Sequence, residues 1–245
     1  MHIVDAHMHL GEDLMFLTDD SEEIVLKAMD DNGIAAQILM PGIVSRDQKK
    51  AHQRIRRFAD AHPGRAFGVA VFNPLMDEGE YRDLVRWTVR DLGFKGVKHH
   101  PYAFCLAPTH PAVDKVFRVA KELDIVVMIH TGNGLPIALP SACVPAARAY
   151  PDVRIVLAHA GGGTFGADAI VAAQECPNIF LETSWVTSYD LRAMVEKLGP
   201  KRVMLGTDLI SNMPVELAKY RAIGLSENEL QWCLGKTAES VFRLA

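Results

Sequence analysis

No stretch of the chain approaches the roughly 18 uninterrupted apolar residues that a membrane-spanning helix needs, so no such span is expected. The first residues, Met1-His2-Ile3-Val4-Asp5, pass straight into polar positions without the apolar core of a secretory signal, and the expectation is a cytoplasmic protein. Cysteine is scarce. Cys105, Cys143, Cys176 and Cys233 are widely scattered and form no C-x-x-C pair, which argues against a disulfide framework and against a thiolate zinc site. Basic clusters are missing too: with a net charge of -4 and no basic run longer than a pair such as Lys49-Lys50, the chain has no electrostatic footprint for nucleic acid or an acidic membrane. No Ser/Pro-rich linker or low-complexity segment interrupts the 245 residues, which read as a single domain over 1–245. A small-molecule substrate is the expected partner, and a homodimer the expected assembly on the general frequency of two-fold oligomers.

What the chain does have is alternation. Short β-branched apolar runs, at roughly 2–7, 34–40, 66–72, 94–98, 125–130, 153–159, 178–183 and 202–207, read as eight strands buried on both faces. Between them lie amphipathic stretches such as Glu22 to Asp31, Asp47 to Ala61, Glu80 to Asp91, Ala112 to Leu123 and Leu191 to Leu198. Several are closed by a glycine in the C-cap region: Gly33, Gly64, Gly93 and Gly199. Ser226-Glu227-Asn228-Glu229 has the form of a capping box and opens a helical tail through Leu244 that is expected to cover the bottom or flank. Eight β-then-α repeats at this length predict a closed (β/α)8 barrel, a TIM barrel with a short C-terminal helical extension, in preference to an open doubly wound sheet.

In such a barrel the chemistry sits where strands end, so polar residues at strand C-termini carry the information. The first strand ends in Asp5-Ala6-His7-Met8-His9. Residues i and i+2 of an extended chain share a face, so both imidazoles can enter the barrel mouth and bind one cation. Taken alone, H-x-H is more often two incidental histidines. The fifth strand ends at His130 before Thr131-Gly132, the sixth at His159 before Ala160-Gly161-Gly162-Gly163, and the eighth at Asp208. Each singly could be a satisfied core histidine or a solvated loop carboxylate; four strand ends bearing metal-type ligands, with none at the strand starts, point to one shared site.

These segments resemble the amidohydrolase superfamily, and within it the small amidohydrolase-2 branch, over nearly the whole length. The likeness rests on Asp5 through His9, Gly93 through Lys98, Ile129 through Gly132, Leu157 through Gly162, Asn178 through Ser184 and Leu205 through Asp208. It implies that His7, His9, His130 and Asp208 are metal ligands and that His159 faces the reacting water or the substrate. Two positions depart from the family pattern: Thr207 stands where a serine is usual, and the segment after the fourth strand reads Val97-Lys98-His99-His100-Pro101. Some branches carboxylate a lysine at the position of Lys98 to bridge two metals, whereas the branch resembled here uses one, so one ion is favoured over two. Otherwise Lys98 pairs with a carboxylate or contacts substrate. His100 shares its strand parity and is expected to face inward with it, and His99 to face the helices.

A divalent cation held by three histidines and one carboxylate leaves room for water and lowers its pKa from about 16 toward 7, supplying a nucleophile at neutral pH. Zinc is the expected ion, with manganese, iron or cobalt compatible with the same ligands. In the leading expectation Asp208 is the general acid/base and His159 steadies the oxyanion, and the reaction is hydrolysis of an amide, lactone or similar carbonyl bond. The alternative is a metal-dependent decarboxylase of a small aromatic or unsaturated acid. It ranks second because the strand-end loops offer few cations beyond Arg46 and Lys98 to hold a carboxylate. A nuclease would need a basic groove, and none is visible. Gly161-Gly162-Gly163 reads as a tight turn more readily than as an anion site. Glu182, Trp185, Tyr102, Phe104 and Phe16 are expected near the mouth, and loops 10–20, 42–48, 99–110 and 131–142 are expected to carry substrate specificity.

Overall fold

The structure, a computed structural model, describes residues 1–15 and 17–244; Phe16, expected near the mouth, lies outside the described residues. All eight expected strands are present and parallel: β1 (Val4–His9), β4 (Ala36–Met40), β5 (Ala66–Val71), β6 (Gly96–His99), β7 (Val126–His130), β8 (Ile155–Ala158), β9 (Ile179–Glu182) and β10 (Val203–Met204). They pair in chain order. Closure between the last and first strands is made by Ala6 N–H donating to Leu205 O at 2.9 Å and Asp208 N–H donating to His7 O at 2.7 Å. The sheet is therefore the expected (β/α)8 barrel. A bulge between Asp5 and Met8 shifts the register of β1 against β4, because three steps of β1 span two of its neighbour.

Helices occupy the connections: α1 (Glu22–Asn32), α2 (Gln48–Ala61), α3 (Glu78–Arg90), α4 (Pro101–Phe104), α5 (Asp114–Leu123), α6 (Val144–Ala149), α7 (Gly166–Glu175), α8 (Ser188–Leu198) and α9 (Met213–Ala222). Their starts follow side-chain caps. Ser21, Asp47, Asp77 and Thr187 each accept a hydrogen bond from a first-turn N–H, so α3 and α8 begin earlier than the apolar periodicity alone suggested. Gly33 and Gly199 are C-caps as expected, whereas α2 and α3 are capped by His62 and Asp91, each two residues ahead of Gly64 and Gly93.

Two apolar layers follow from strand alternation. The outer one packs the helices on the sheet, and the inner one fills the barrel with Val4, Ala6, Ala36, Ile38, Met40, Val69, Val71, Val126, Met128, Val156 and Met204. The tail runs through α10 (Glu227–Gln231), a π-turn at Trp232–Lys236 and α11 (Thr237–Phe242), and the capping box at Ser226 and Glu229 is formed. It covers the N-terminal end of the barrel: Ala238, Val241 and Phe242 join the inner layer. A Cβ on Gly235 would lie 2.3 Å from His2 O, so this close approach needs glycine.

One element went unread in the sequence. Gly11–Asp13 (β2) and Thr18–Asp20 (β3) form an antiparallel hairpin directly after β1. It is seated on the loop after β4, where Asp13 Oδ2 accepts from Ile43 N–H at 3.0 Å, and a Cβ on Gly42 would strike Glu12 O and Asp13.

Candidate metal centre

The strand ends converge on a cavity of about 440 Å³ at the C-terminal face, lined by His7, His9, Asp13, Thr18, Asp20, Lys98, His100, His130, Asn133, His159, Trp185, Asp208 and Leu209. His7 and His9 enter it together, as i and i+2 of β1 should. Among the described residues, two groups bring candidate ligand atoms within 4.8 Å of one another: His7, His9 and Asp208, and His7, His159 and Glu182.

The hydrogen bonds behind the imidazoles decide what the first group can hold. His7 Nδ1 lies 2.7 Å from Glu182 Oε2 and His9 Nδ1 lies 3.1 Å from Pro41 O, so each Nδ1 carries the proton and donates it to an oxygen. Their Nε2 atoms are then bare lone pairs. Both approach Asp208 Oδ1, at 3.3 and 3.4 Å; Lys98 Nζ, 3.2 Å from His7 Nε2, offsets part of the repulsion among these three electron-rich atoms, and a cation lying among them would relieve the rest. The backing of ligating histidines by a carboxylate and a carbonyl is the arrangement that orients metal ligands. The donor set of two imidazoles and a carboxylate therefore fits a divalent cation.

The second group is different. Glu182 Oε2 already accepts from His7 Nδ1 and from His159 N–H at 3.1 Å, and Glu182 Oε1 accepts from Ser184 N–H at 2.5 Å, so this carboxylate is a hydrogen-bonded support. Burial alone would raise Glu182, but the His7 charge and hydrogen bond outweigh it and hold the carboxyl below its usual range. Gly206 makes room for it: a Cβ there would sit 2.1 Å from Glu182 Oε1. Glu182 is the main residue whose role sequence reasoning missed; its isolated position at the end of Ile-Phe-Leu-Glu was the available signal.

His130 lines the same cavity but belongs to neither close group. Its ring stacks on His100 with centroids 4.0 Å apart, its edge meets His159 at 4.7 Å, and its Nε2 is 3.4 Å from Asn133 Nδ2. Burial, reinforced by neighbouring positive groups, holds His100 and His130 far below the ordinary histidine value, and burial takes His159 to about 3. All three are thus kept as neutral imidazoles, the form that ligates metal or donates a single N–H. His159 Nδ1 is 2.8 Å from Ser184 Oγ.

Lys98 faces inward as strand parity predicted. Its Nζ lies 3.2 Å from His7 Nε2, and burial lowers the amine to about 8. His99 points to the helices, with Nε2 donating to Leu106 O at 2.9 Å. Trp185 caps the carboxylate side: its Nε1–H donates to Asp208 Oδ2 at 2.7 Å. His159, Trp185 and Asp208 all have positive φ, at 65°, 64° and 65°, an unfavourable conformation that clusters at the strand ends bordering the cavity.

Several expected mouth residues lie elsewhere. Arg46 pairs with Glu12 outside the cavity because the hairpin places that carboxylate closer, and Tyr102 and Phe104 belong to α4 rather than to the lining. Loop 42–48 contributes no lining side chain, while Trp185 and Leu209 come from loops not singled out. Gly161 and Gly162 spend their amides on Thr131 Oγ1 and His159 O, which favours the turn reading of that tripeptide. Thr207 keeps a hydroxyl function, donating to Asp5 Oδ2 at 2.6 Å.

A closed parallel barrel with imidazoles and carboxylates converging at its C-terminal face is the architecture of a barrel enzyme. The chain belongs to the amidohydrolase family, whose model matches residues 4–244. No curated protein matches. Among solved structures, 5-carboxyvanillate decarboxylase from Sphingomonas paucimobilis is similar with a TM-score of 0.78 and 17% identity, covering 100% of this chain and 99% of the other. A dihydroxybenzoic acid decarboxylase from Polaromonas sp., with manganese and 2-nitroresorcinol bound, has a TM-score of 0.74 and 17% identity, covering 99% and 97%. A probable 2-pyrone-4,6-dicarboxylic acid hydrolase from Acinetobacter baumannii has a TM-score of 0.73 and 16% identity, covering 99% and 100%. At these identities the likeness establishes the fold. Among the described residues, no helix is long and apolar enough to cross a membrane.

Proposed function

We propose that this chain is a single-domain, metal-dependent hydrolase acting on an amide, lactone or similar carbonyl bond of a small molecule. The observation that carries the reading is the meeting of His7 Nε2, His9 Nε2 and Asp208 Oδ1 at 3.3–3.4 Å while both Nδ1 atoms are spent on oxygens. These three residues, with His130 supplied by the family resemblance, would hold one divalent cation. A bound cation of this kind supplies Lewis acidity that polarises a carbonyl and lowers the pKa of water. Manganese bound in the similar dihydroxybenzoic acid decarboxylase makes it a candidate beside zinc.

The chain's own residues then have distinct tasks. Asp208 takes the proton of the attacking water and returns it to the leaving group, with Trp185 Nε1–H fixing the orientation of Oδ2. Ser184 Oγ–H donates to His159 Nδ1, which keeps the proton on Nε2 and aims an N–H at the carbonyl oxygen as it gains charge. Glu182 holds the His7 ring in the ligating tautomer. The cavity, at about 440 Å³, suits a small substrate.

Decarboxylation of a small aromatic acid is the second reading, favoured by the similarity to two decarboxylases of this fold. It ranks lower because Lys98 is the sole lysine or arginine among the residues lining the cavity, which leaves few cations to hold a substrate carboxylate. The deciding experiment measures metal stoichiometry, turnover of a lactone and amide panel, and carbon dioxide release from hydroxybenzoates. Asp208→Asn is expected to lower hydrolysis by about a thousandfold or more, on the order of 4 kcal/mol of barrier, without loss of fold. Carbon dioxide release with no carbonyl hydrolysis would reverse the order of the two readings.

A further inference from the structure

The cavity has an electrostatic asymmetry that the catalytic reading leaves unused. Three aspartates line it. Asp208 Oδ2 is taken by the Trp185 indole, and both oxygens of Asp13 accept backbone N–H groups, from Met15 at 2.8 Å and from Ile43 at 3.0 Å. Asp20 is the exception. It stands opposite Gly11 at the base of the β2–β3 hairpin, two residues beyond His9 along the paired strand, and among the described residues its carboxylate accepts no hydrogen bond.

The nearest guanidinium does not neutralise it. Arg54 directs its N–H groups to both oxygens of Glu22, to Asp19 Oδ1 and to the backbone oxygen of Asp20, so two other carboxylates balance its charge. Lys98 is the lysine among the lining residues, which include no arginine, and it stands beside the metal ligands, its Nζ 3.2 Å from His7 Nε2. A substrate entering this space meets positive charge at the metal ligands, where Lys98 stands, and at Asp20 a carboxylate without a hydrogen-bond partner among the described residues. Partial burial, aided by Asp19, raises the Asp20 carboxyl, as expected for a group removed from water on one side and short of partners.

We propose that Asp20 is a specificity-determining residue that selects substrates carrying an ammonium group on the part distal to the reacting carbonyl and rejects those carrying a carboxylate there. The inference rests on the hydrolase reading of the same cavity. Partly desolvated opposite charges attract, and forcing like charges together costs enough to exclude the wrong ligand.

The test uses three near-isosteric chelating probes on the manganese-loaded protein by titration calorimetry: β-alanine hydroxamate with a cationic tail, propionohydroxamate with a neutral tail, and succinic monohydroxamate with an anionic tail. The wild type is expected to bind the cationic probe about tenfold or more tighter than the anionic one, corresponding to about 1.4 kcal/mol. In Asp20→Asn that ratio should fall below about threefold while the neutral probe keeps its affinity, and Asp20→Glu should retain the ranking. Equal binding of the charged probes by the wild type, or a ranking that survives Asp20→Asn, overturns the assignment and leaves the hydrolase reading standing. Failure to take up manganese and to bind any of the three probes overturns both.

Discussion

At the N-terminal end of the barrel the inner strand faces meet Ala238, Val241 and Phe242 in an apolar cluster. At the C-terminal end the same strands finish in buried His7, Lys98, His130, His159 and Glu182, and the positive-φ residues His159, Trp185 and Asp208 stand beside them. The first arrangement gains from burial and asks nothing of the backbone. The second desolvates titratable groups and holds residues in conformations costing on the order of 1–3 kcal/mol each. Stability and chemistry are thus separated along one axis of a single core, and removing a side chain should have opposite consequences according to the end it comes from.

The largest expected effect on stability lies at the apolar end. Phe242→Ala should cost about 3–5 kcal/mol by denaturant unfolding, while the molecules that remain folded bind metal with unchanged stoichiometry. A loss of metal binding out of proportion to unfolding would show that the two ends are not independent. The next effect separates acid sensitivity from both. His52 lies outside the barrel, between α2 and β5, with Nδ1–H donating to Gln48 O at 2.5 Å and Nε2 accepting from Val71 N–H at 2.9 Å. A second proton has no acceptor, and burial pushes the imidazole down to about 4. Because its folded pKa lies below the unfolded value of about 6.5, its contribution is complete above pH 6.5 and is lost as the pH falls toward 4, amounting to about 3 kcal/mol. Unfolding curves at pH 7 and 4.5 should show this loss in the wild type and a shallower pH dependence in His52→Gln.

Two smaller effects probe the polar end. Glu182→Gln weakens the grip on the His7 ring and should lower divalent-metal affinity about 10–100-fold, a larger effect than the accompanying fall in unfolding free energy from the loss of a buried charge-assisted hydrogen bond. If metal affinity is untouched, Glu182 does not orient the ligand. Trp185→Phe keeps the ring but removes the N–H on Asp208 Oδ2; turnover should drop about three- to tenfold with metal affinity within about twofold. A fall in both together would mean that the indole shapes the metal site rather than the carboxylate's orientation.

The same axis explains what could be read in the chain. Strands that are buried on both faces leave long apolar runs, so all eight were visible, and period-two alternation placed Lys98 and His100 inward and His99 outward. The capping box at Ser226 marked the tail because its two hydrogen bonds need residues three apart. The β2–β3 hairpin escaped because strands of three residues carry no period, and with it went Asp20. Glu182 was placed near the mouth, but its supporting role escaped for another reason: that role lies in partners 175 and 23 positions away, which no local pattern records. Arg46 misled because a basic residue near the mouth can turn to any nearby acid, and Glu12 was closer than the cavity.

The strand carrying Asp208 is only two residues long, and the next N–H, that of Leu205, is received by Cys233 O at 2.9 Å in the π-turn of the tail. The partner of Asp208 across the cluster, His7, precedes it by 201 residues. A ribosome must therefore have released residues beyond Cys233 before the histidine pair can be matched with this carboxylate. Chains that stop short of Cys233 expose the imidazoles without Asp208 held in place.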